Sequence, residues 1–334
     1  MTARDPSTAD PTSAAATGED LLRPVSPGAV PAAQVLTDGL QLAQPAIPFG
    51  FLYDELGSRL FTAITALDEY YPTRTEAAIL QEQLPAITAA RAVAGATMID
   101  LGAGNCEKAA ALFAAVRPAH YVAVDVSVDF LASALAALRM RFPDIEMTGV
   151  GLDFSQHLPL PDSVPGRRRL FFYPGSSIGN FSPPRAVRFL TEIRRQMDAD
   201  GTLWIGVDLH KDRTVLERAY DDELGVTAAF IRNVLRNVNR IANTDFRLDD
   251  WRYVARYDED ERRVIMWLET RRAVTVRWPG GERRFDRGDP IHIENAYKHT
   301  IDGFTDLLER AGMRRVGCWT DARDWYGFFA AAPA

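Results

Sequence analysis

The run Asp100-Leu101-Gly102-Ala103-Gly104 carries the first chemical signal in this chain of 334 residues. It follows the apolar stretch Thr97 to Leu101 and opens an Ala-rich stretch that begins at Lys108. Glycines at such a turn let the backbone approach a ligand where a side chain would collide. A dinucleotide site built on G-x-G-x-x-G needs a third glycine, and Glu107 stands there instead. An acid two residues before the first glycine suits a sulfonium amino-acid cofactor, whose ammonium needs an anion close by. Asp125 ends the next apolar run, about 20 residues on, where an acid accepts from a ribose diol. Asp153-Phe154 adds an acceptor for an adenine amine and a ring to stack on it. Asp100, Gly102, Gly104, Lys108, Asp125, Asp153 and Phe154 are therefore the candidate cofactor set. They favour S-adenosylmethionine over a nicotinamide dinucleotide. The bland alternative is three unrelated turn aspartates.

These residues need a scaffold that brings strand ends together. Short buried strands are expected at residues 97–101, 121–125, 147–151, 169–173 and 201–208. Helices are expected at 108–116, 129–142 and 184–197. Strand–helix alternation with apolar strands predicts a parallel, doubly wound α/β sheet covered on both faces, a Rossmann-like core. Upstream, Phe51, Leu52, Leu56, Leu60, Phe61 and Ile64 recur at helical spacing, with Tyr70-Tyr71-Pro72 as a stop. Thr73 reads as the cap of a second helix, with Glu76 three residues on. Beyond Asp208 the alternation ceases: a polar helical pattern precedes amphipathic strands near 264–268 and 273–278, and helix–strand text returns at 304–319. The expected organisation has three parts. Residues 1–30, rich in Ala, Pro, Thr and Ser, form a disordered tail. Residues 31–75 with 209–297 form an α+β substrate-binding domain. Residues 76–208 with 298–334 form the cofactor-binding core.

Composition narrows the class. A formal charge of −7, with arginines scattered among acids, offers no footprint for nucleic acid. Two cysteines, Cys106 and Cys318, do not make a disulfide framework, and the reading is a cytoplasmic protein. The five histidines stand outside any metal-ligand spacing, so no metal is expected. No signal peptide or membrane span is read. The expected partner is a small molecule and the expected state a monomer.

Longer motifs extend the reading. Tyr53-Asp54-Glu55-Leu56-Gly57-Ser58 through Glu69-Tyr70-Tyr71-Pro72-Thr73-Arg74-Thr75-Glu76 resembles the N-terminal signature of the histidine-specific Nα-methyltransferases of ergothioneine biosynthesis. So do Phe172-Tyr173-Pro174-Gly175-Ser176-Ser177-Ile178-Gly179-Asn180-Phe181 and Gly206-Val207-Asp208-Leu209-His210-Lys211-Asp212. Ala219-Tyr220-Asp221-Asp222, the run 225–230 and Ile291-His292-Ile293-Glu294-Asn295-Ala296-Tyr297-Lys298 are similar too. The resemblance covers the chain from about residue 48 onward, in consistent order.

The resemblance implies a two-domain enzyme that moves three methyl groups from S-adenosylmethionine to the α-amine of histidine. It implies that Asn180 and Tyr220 hold the substrate carboxylate and orient the amine, with Gly175 and Ser177 in the same pocket. Tyr53 and Tyr70 close it, with Phe61 behind, and Tyr53 stands near the amine as its methyls accumulate. Met266 lies over the side-chain pocket, and Glu294 accepts an imidazole N–H in a charge-assisted bond. The chain departs from the family pattern at Ala296, where a serine hydroxyl would be the second partner of the ring. Trp267 adds bulk next to Met266. Three alternatives stay open: an N-methyltransferase for an aromatic amino acid, a modified histidine or a small amine; a cofactor-binding scaffold without turnover; and a nicotinamide oxidoreductase, which Glu107 disfavours.

Overall fold

The computed structural model describes residues 22–24, 30–154 and 157–334. In chain order the elements are β1 (Leu22–Pro24), α1 (Ala32–Gln41), α2 (Glu55–Ile64), α3 (Tyr71–Ala90), β2 (Thr97–Leu101), α4 (Glu107–Ala110), α5 (Phe113–Val116) and β3 (His120–Asp125). There follow α6 (Val128–Arg141), β4 (Glu146–Gly151), β5 (Arg169–Tyr173), α7 (Pro183–Arg195), β6 (Thr202–Asp208), α8 (Arg213–Tyr220) and α9 (Val226–Ala242). The remainder is β7 (Trp251–Asp258), β8 (Arg263–Thr270), β9 (Val274–Trp278), β10 (Gly281–Phe285), β11 (Pro290–Tyr297), α10 (Ile301–Arg310), β12 (Met313–Thr320) and β13 (Tyr326–Pro333).

Eight strands form the main sheet in the order β1-β4-β3-β2-β5-β6-β13-β12. The run β1 to β6 is parallel, and β13 joins β6 and β12 antiparallel. Every residue of β2, β5 and β6 is buried, as strands covered on both faces must be. The Rossmann-like α/β expectation holds. The chain leaves β2 toward β3 on one side and returns to β5 on the other, so a crevice opens at the carboxyl ends of β2 and β5.

A second apolar core lies beside the sheet. It gathers Leu36, Leu40 and Tyr71 with Leu216, Phe230, Val234, Trp251, Met266 and Ile293, among others. Its strands form the antiparallel sheet β11-β8-β7, against which α8 and α9 pack. These residues fall where a separate substrate-binding part is expected. Helix α3, however, runs unbroken across the expected boundary at 75/76.

Local differences have local causes. Tyr70-Tyr71-Pro72 starts a helix and does not stop one: Pro72 sits in the first turn of α3, where its missing N–H costs nothing. Thr73 is consequently inside the helix, and Glu76 is buried and occupied elsewhere, not part of a capping box. The expected helix 108–116 splits into α4 and α5, because Leu112 N–H donates to Ala109, a tighter turn. Of the expected tail, most lies outside the described residues, but Leu22–Pro24 pairs with β4 as an edge strand. Strands β7, β10 and β13 were not expected at all.

Candidate active site

The glycine turn after β2 has the geometry its sequence suggests. Gly102 and Gly104 take φ of +74° and +53°, a region closed to most side chains. Asp125 Oδ2 accepts from the Gly104 N–H at 2.9 Å, and its Oδ1 accepts from the Ser127 N–H at 2.8 Å. Asp100 is 2 % exposed; its Oδ2 accepts from the Tyr121 hydroxyl at 2.7 Å, while Oδ1 is buried with no partner. Burial pushes the Asp100 carboxyl up to about 7, opposed by the Tyr121 hydrogen bond. A buried carboxylate oxygen without a partner is a place for a ligand cation. Phe154 is half-buried and packs edge-on to Tyr173, and Asp153 beside it is exposed. An ammonium at Asp100, a diol at Asp125 and a base over Phe154 fit these positions.

Lys108 connects this turn to the second half of the site. Its ammonium donates to Glu76 Oε2 at 2.7 Å. Glu76, fully buried, also accepts from the Gly175 N–H at 2.8 Å and from the Tyr326 hydroxyl at 2.7 Å. One carboxylate from α3 thus holds the loop after β5, the cofactor-side lysine and β13 together. The approach needs Gly206: a Cβ there would lie 2.0 Å from Glu76 Oε1 and 2.3 Å from the Tyr326 hydroxyl.

A cavity opens beside this junction. Gly175, Ser177 and Asn180 line it from the loop after β5, and Tyr53, Phe61 and Tyr70 from the N-terminal segment. Tyr220 at the end of α8, Met266 on β8 and Glu294 on β11 complete the set expected from sequence. Ile64, Ser176, Ala219, Thr227, Phe230 and Ile231 line it too, without having been singled out. Tyr53 stands edge-on to Phe61 and Phe230, Phe61 to Tyr70, and Tyr70 to Tyr220, with ring centroids 5.5 to 6.2 Å apart. The cavity is therefore walled by aromatic faces. Ser127 ties it to the cofactor turn, since its hydroxyl donates to the Tyr53 carbonyl at 2.7 Å.

Several polar groups face this space unengaged, Asn180 and Glu294 foremost. Asn180 makes no side-chain hydrogen bond among the described residues, and neither does Glu294, which is 8 % exposed. Burial pushes the Glu294 carboxyl up to about 8, with Lys298 pulling it down. Burial likewise raises the Tyr53, Tyr70 and Tyr220 hydroxyls well above the usual phenol range, so all three stay protonated donors.

Ala296 does not line the cavity. It lies two residues further along β11 than Glu294, opposite Val264 in the apolar core. Trp267 is also outside, since strand alternation turns it away from Met266, and the Arg256 guanidinium lies 6.0 Å from its ring. Sequence reasoning missed Glu76, Asp208, Lys211 and Lys298. The first was taken for a capping residue, and the others sat unweighed inside motifs quoted for their neighbours. Among the described residues, no group of His, Cys, Asp or Glu could hold a metal ion, and no helix is long and apolar enough to cross a membrane.

Residues 32–333 match a family model described as histidine-specific methyltransferase, SAM-dependent. A Histidine N-alpha-methyltransferase of Mycolicibacterium smegmatis is 40% identical over 300 residues, 88% of this chain and 92% of that protein. Its namesake in Mycobacterium tuberculosis is 38% identical over 301 residues, with the same coverage. Ergothioneine biosynthesis protein 1 of Neurospora crassa is 32% identical over 292 residues, which span 84% of this chain and 32% of that longer protein.

Proposed function

The chain belongs to the histidine-specific, S-adenosylmethionine-dependent methyltransferases, and from that premise we propose that it methylates the α-amine of free L-histidine to the trimethyl betaine. The observation that carries the choice of substrate is Glu294. A buried carboxyl without a protein partner, in an aromatic-walled cavity, calls for a ligand that brings a hydrogen-bond donor. An imidazole N–H supplies one, and an apolar side chain does not.

When bound, S-adenosylmethionine supplies an electrophilic sulfonium methyl. Asp100 would hold its ammonium, Asp125 its ribose diol, and Asp153 with Phe154 its adenine, with Lys108 close to its amino-acid end. On the substrate side, Asn180 and Tyr220 hold the carboxylate and orient the amine. Orientation of this kind converts an encounter into a near-unimolecular step, which is where most of the acceleration in an in-line transfer arises. Tyr53, Phe61, Tyr70 and Phe230 exclude water and turn π faces toward the amine as it becomes a quaternary ammonium, an attraction of about 0.5–2 kcal/mol per favourable contact. Neither histidine nor lysine is among the residues lining the cavity. The amine therefore gives its proton to solvent before attack, and Asn180 positions the resulting lone pair.

In this reading residues 31–75 with 209–297 carry the substrate and residues 76–208 with 298–334 the cofactor. The protein acts as a cytoplasmic monomer, which light scattering would check. The aromatic walls favour a second reading, an aromatic amino acid as substrate. Incubation with S-adenosylmethionine and all twenty amino acids, followed by mass spectrometry, decides. Histidine gaining three methyl groups supports the proposal. Tryptophan or tyrosine methylated in its place overturns it.

A further inference from the structure

Beneath the cavity lies a buried cluster of charge. Asp208 ends β6 and is wholly buried. Tyr71 donates to both its oxygens, at 2.7 and 2.8 Å. Lys211 donates to Oδ1 at 2.5 Å and Lys298 to Oδ2 at 2.7 Å. The two lysine side chains are only 3% and 1% exposed. One carboxylate bonded to two ammonium groups leaves a local excess of positive charge in a dry place, with Asp321 near Lys211 and the raised Glu294 carboxyl near Lys298 as the next acids. Burial draws Lys211 down to about 8, opposed by Asp208, so at neutral pH it is still mostly charged. Such an excess is costly unless an anion comes near.

Lys298 also faces the cavity wall. Its ammonium donates to the Tyr220 hydroxyl oxygen at 2.7 Å. A phenol oxygen that accepts from an ammonium keeps its own proton to donate, and among the described residues no protein acceptor takes that proton. Tyr220 lines the cavity. Its O–H is thereby fixed as a donor toward whatever enters, and the cation behind it strengthens the bond it gives.

We infer that Lys298 is a positioning residue for the substrate's α-carboxylate, acting through Tyr220, with Asp208 and Lys211 fixing its ammonium. This rests on the reading of Tyr220 as a carboxylate partner. The consequence is selectivity for an amino acid over the corresponding amine: only a ligand with a carboxylate takes the Tyr220 proton and offsets the buried charge.

The test compares Lys298→Met, Tyr220→Phe and the double variant by calorimetry, each loaded with S-adenosylhomocysteine, titrated with histidine and with histamine. Each single change should weaken histidine binding roughly tenfold or more, the scale of a hydrogen bond with a charged partner. The double change should be no worse than the worse single one, and histamine binding should move little. Lys298→Arg should restore part of the loss. Binding of S-adenosylhomocysteine itself reports whether each variant is folded. If Lys298→Met does not fold, Tyr220→Phe and Lys298→Arg decide, since both keep a cation beside Asp208. Equal losses for histidine and histamine, or losses that add in the double variant, would overturn the inference. Wild-type turnover checks the choice of substrate separately. If the wild type methylates only another amino acid, histidine fails as the substrate, and the same comparison with that amino acid and its decarboxylated amine still decides the role of Lys298.

Discussion

Glu294 and Met266 face each other across the β8–β11 ladder, an acid beside a thioether, and both side chains form the wall of one cavity. The acid is out of place by any measure of stability. A glutamate in an unfolded chain titrates near 4.5, and burial moves Glu294 to about 8. Between those values the folded state binds the extra proton, so stability falls as pH rises through the interval.

Glu294→Gln should therefore be more stable than the wild type without ligand. The advantage should be small at about pH 5 and grow to a few kcal/mol at most by about pH 8.5. Thermal unfolding at both pH values checks this, and an advantage that shrinks with rising pH would refute it. Above about pH 8, where the wild-type group is a carboxylate, the same variant should bind histidine at least several-fold more weakly, since a charge-assisted bond is replaced by a neutral one.

Asp100→Asn probes the cofactor side. With Asp100 raised to about 7, its carboxylate is lost as pH falls through neutrality, and with it the anion that would face an ammonium. The affinity of the wild type for S-adenosylhomocysteine should fall as pH is lowered below about 7, and the variant should be weaker and flatter over that range. Calorimetry from about pH 6 to about pH 8, on either side of the Asp100 titration, reads the slope. A variant that keeps the wild-type slope would place the titration elsewhere.

Asn180→Ala should remove most turnover while S-adenosylhomocysteine still binds. The side chain lines the cavity and bonds to no other described residue, so its loss leaves the fold intact. A loss of about 1.5–3 kcal/mol, tenfold to over a hundredfold in kcat/KM, is the scale for a bond to a charged carboxylate. Wild-type turnover in this variant would show that Asn180 does not hold the substrate.

Gly206→Ala should act on the site from behind. The added methyl collides with Glu76 and Tyr326, both buried. Overpacking of this kind costs about 1–3 kcal/mol, and displacing Glu76 also frees the Gly175 loop. We expect a melting temperature lower by several degrees, together with weaker histidine binding. A variant that melts like the wild type would mean that β6 and α3 can part without strain.

The sheet was legible because its strands are continuous apolar runs separated by helices, and the ends of β2 and β5 carry the glycines that mark a crevice. Tyr53, Asn180, Tyr220 and Glu294 were legible only through long motifs; nothing in the residues around Asn180 alone distinguishes a ligand contact from a turn. Glu76 was misread since a helix-start pattern explains it equally well, and only the fold reveals Gly175, Lys108 and Tyr326 around it. Ala296 was placed in the pocket on the family pattern alone; it shares the face of Glu294 but lies further along β11, opposite Val264 in the apolar core. Strand β13 escaped because Phe328, Phe329 and the alanines after them read as an apolar stretch of no particular period.

That overlooked strand sets the order in which the molecule can become competent. Tyr326 meets Glu76 across 250 residues of chain, and β13 is the neighbour of β6 on that side. While a ribosome is still making the intervening residues, β6 presents an open edge and Glu76 has Lys108 and Gly175 as donors but not yet Tyr326. Nascent chains in that window carry a largely apolar strand open along one edge, the feature most prone to pair with a second chain. Slow synthesis between β6 and β13 should therefore tax the yield of soluble protein more than slow synthesis anywhere upstream.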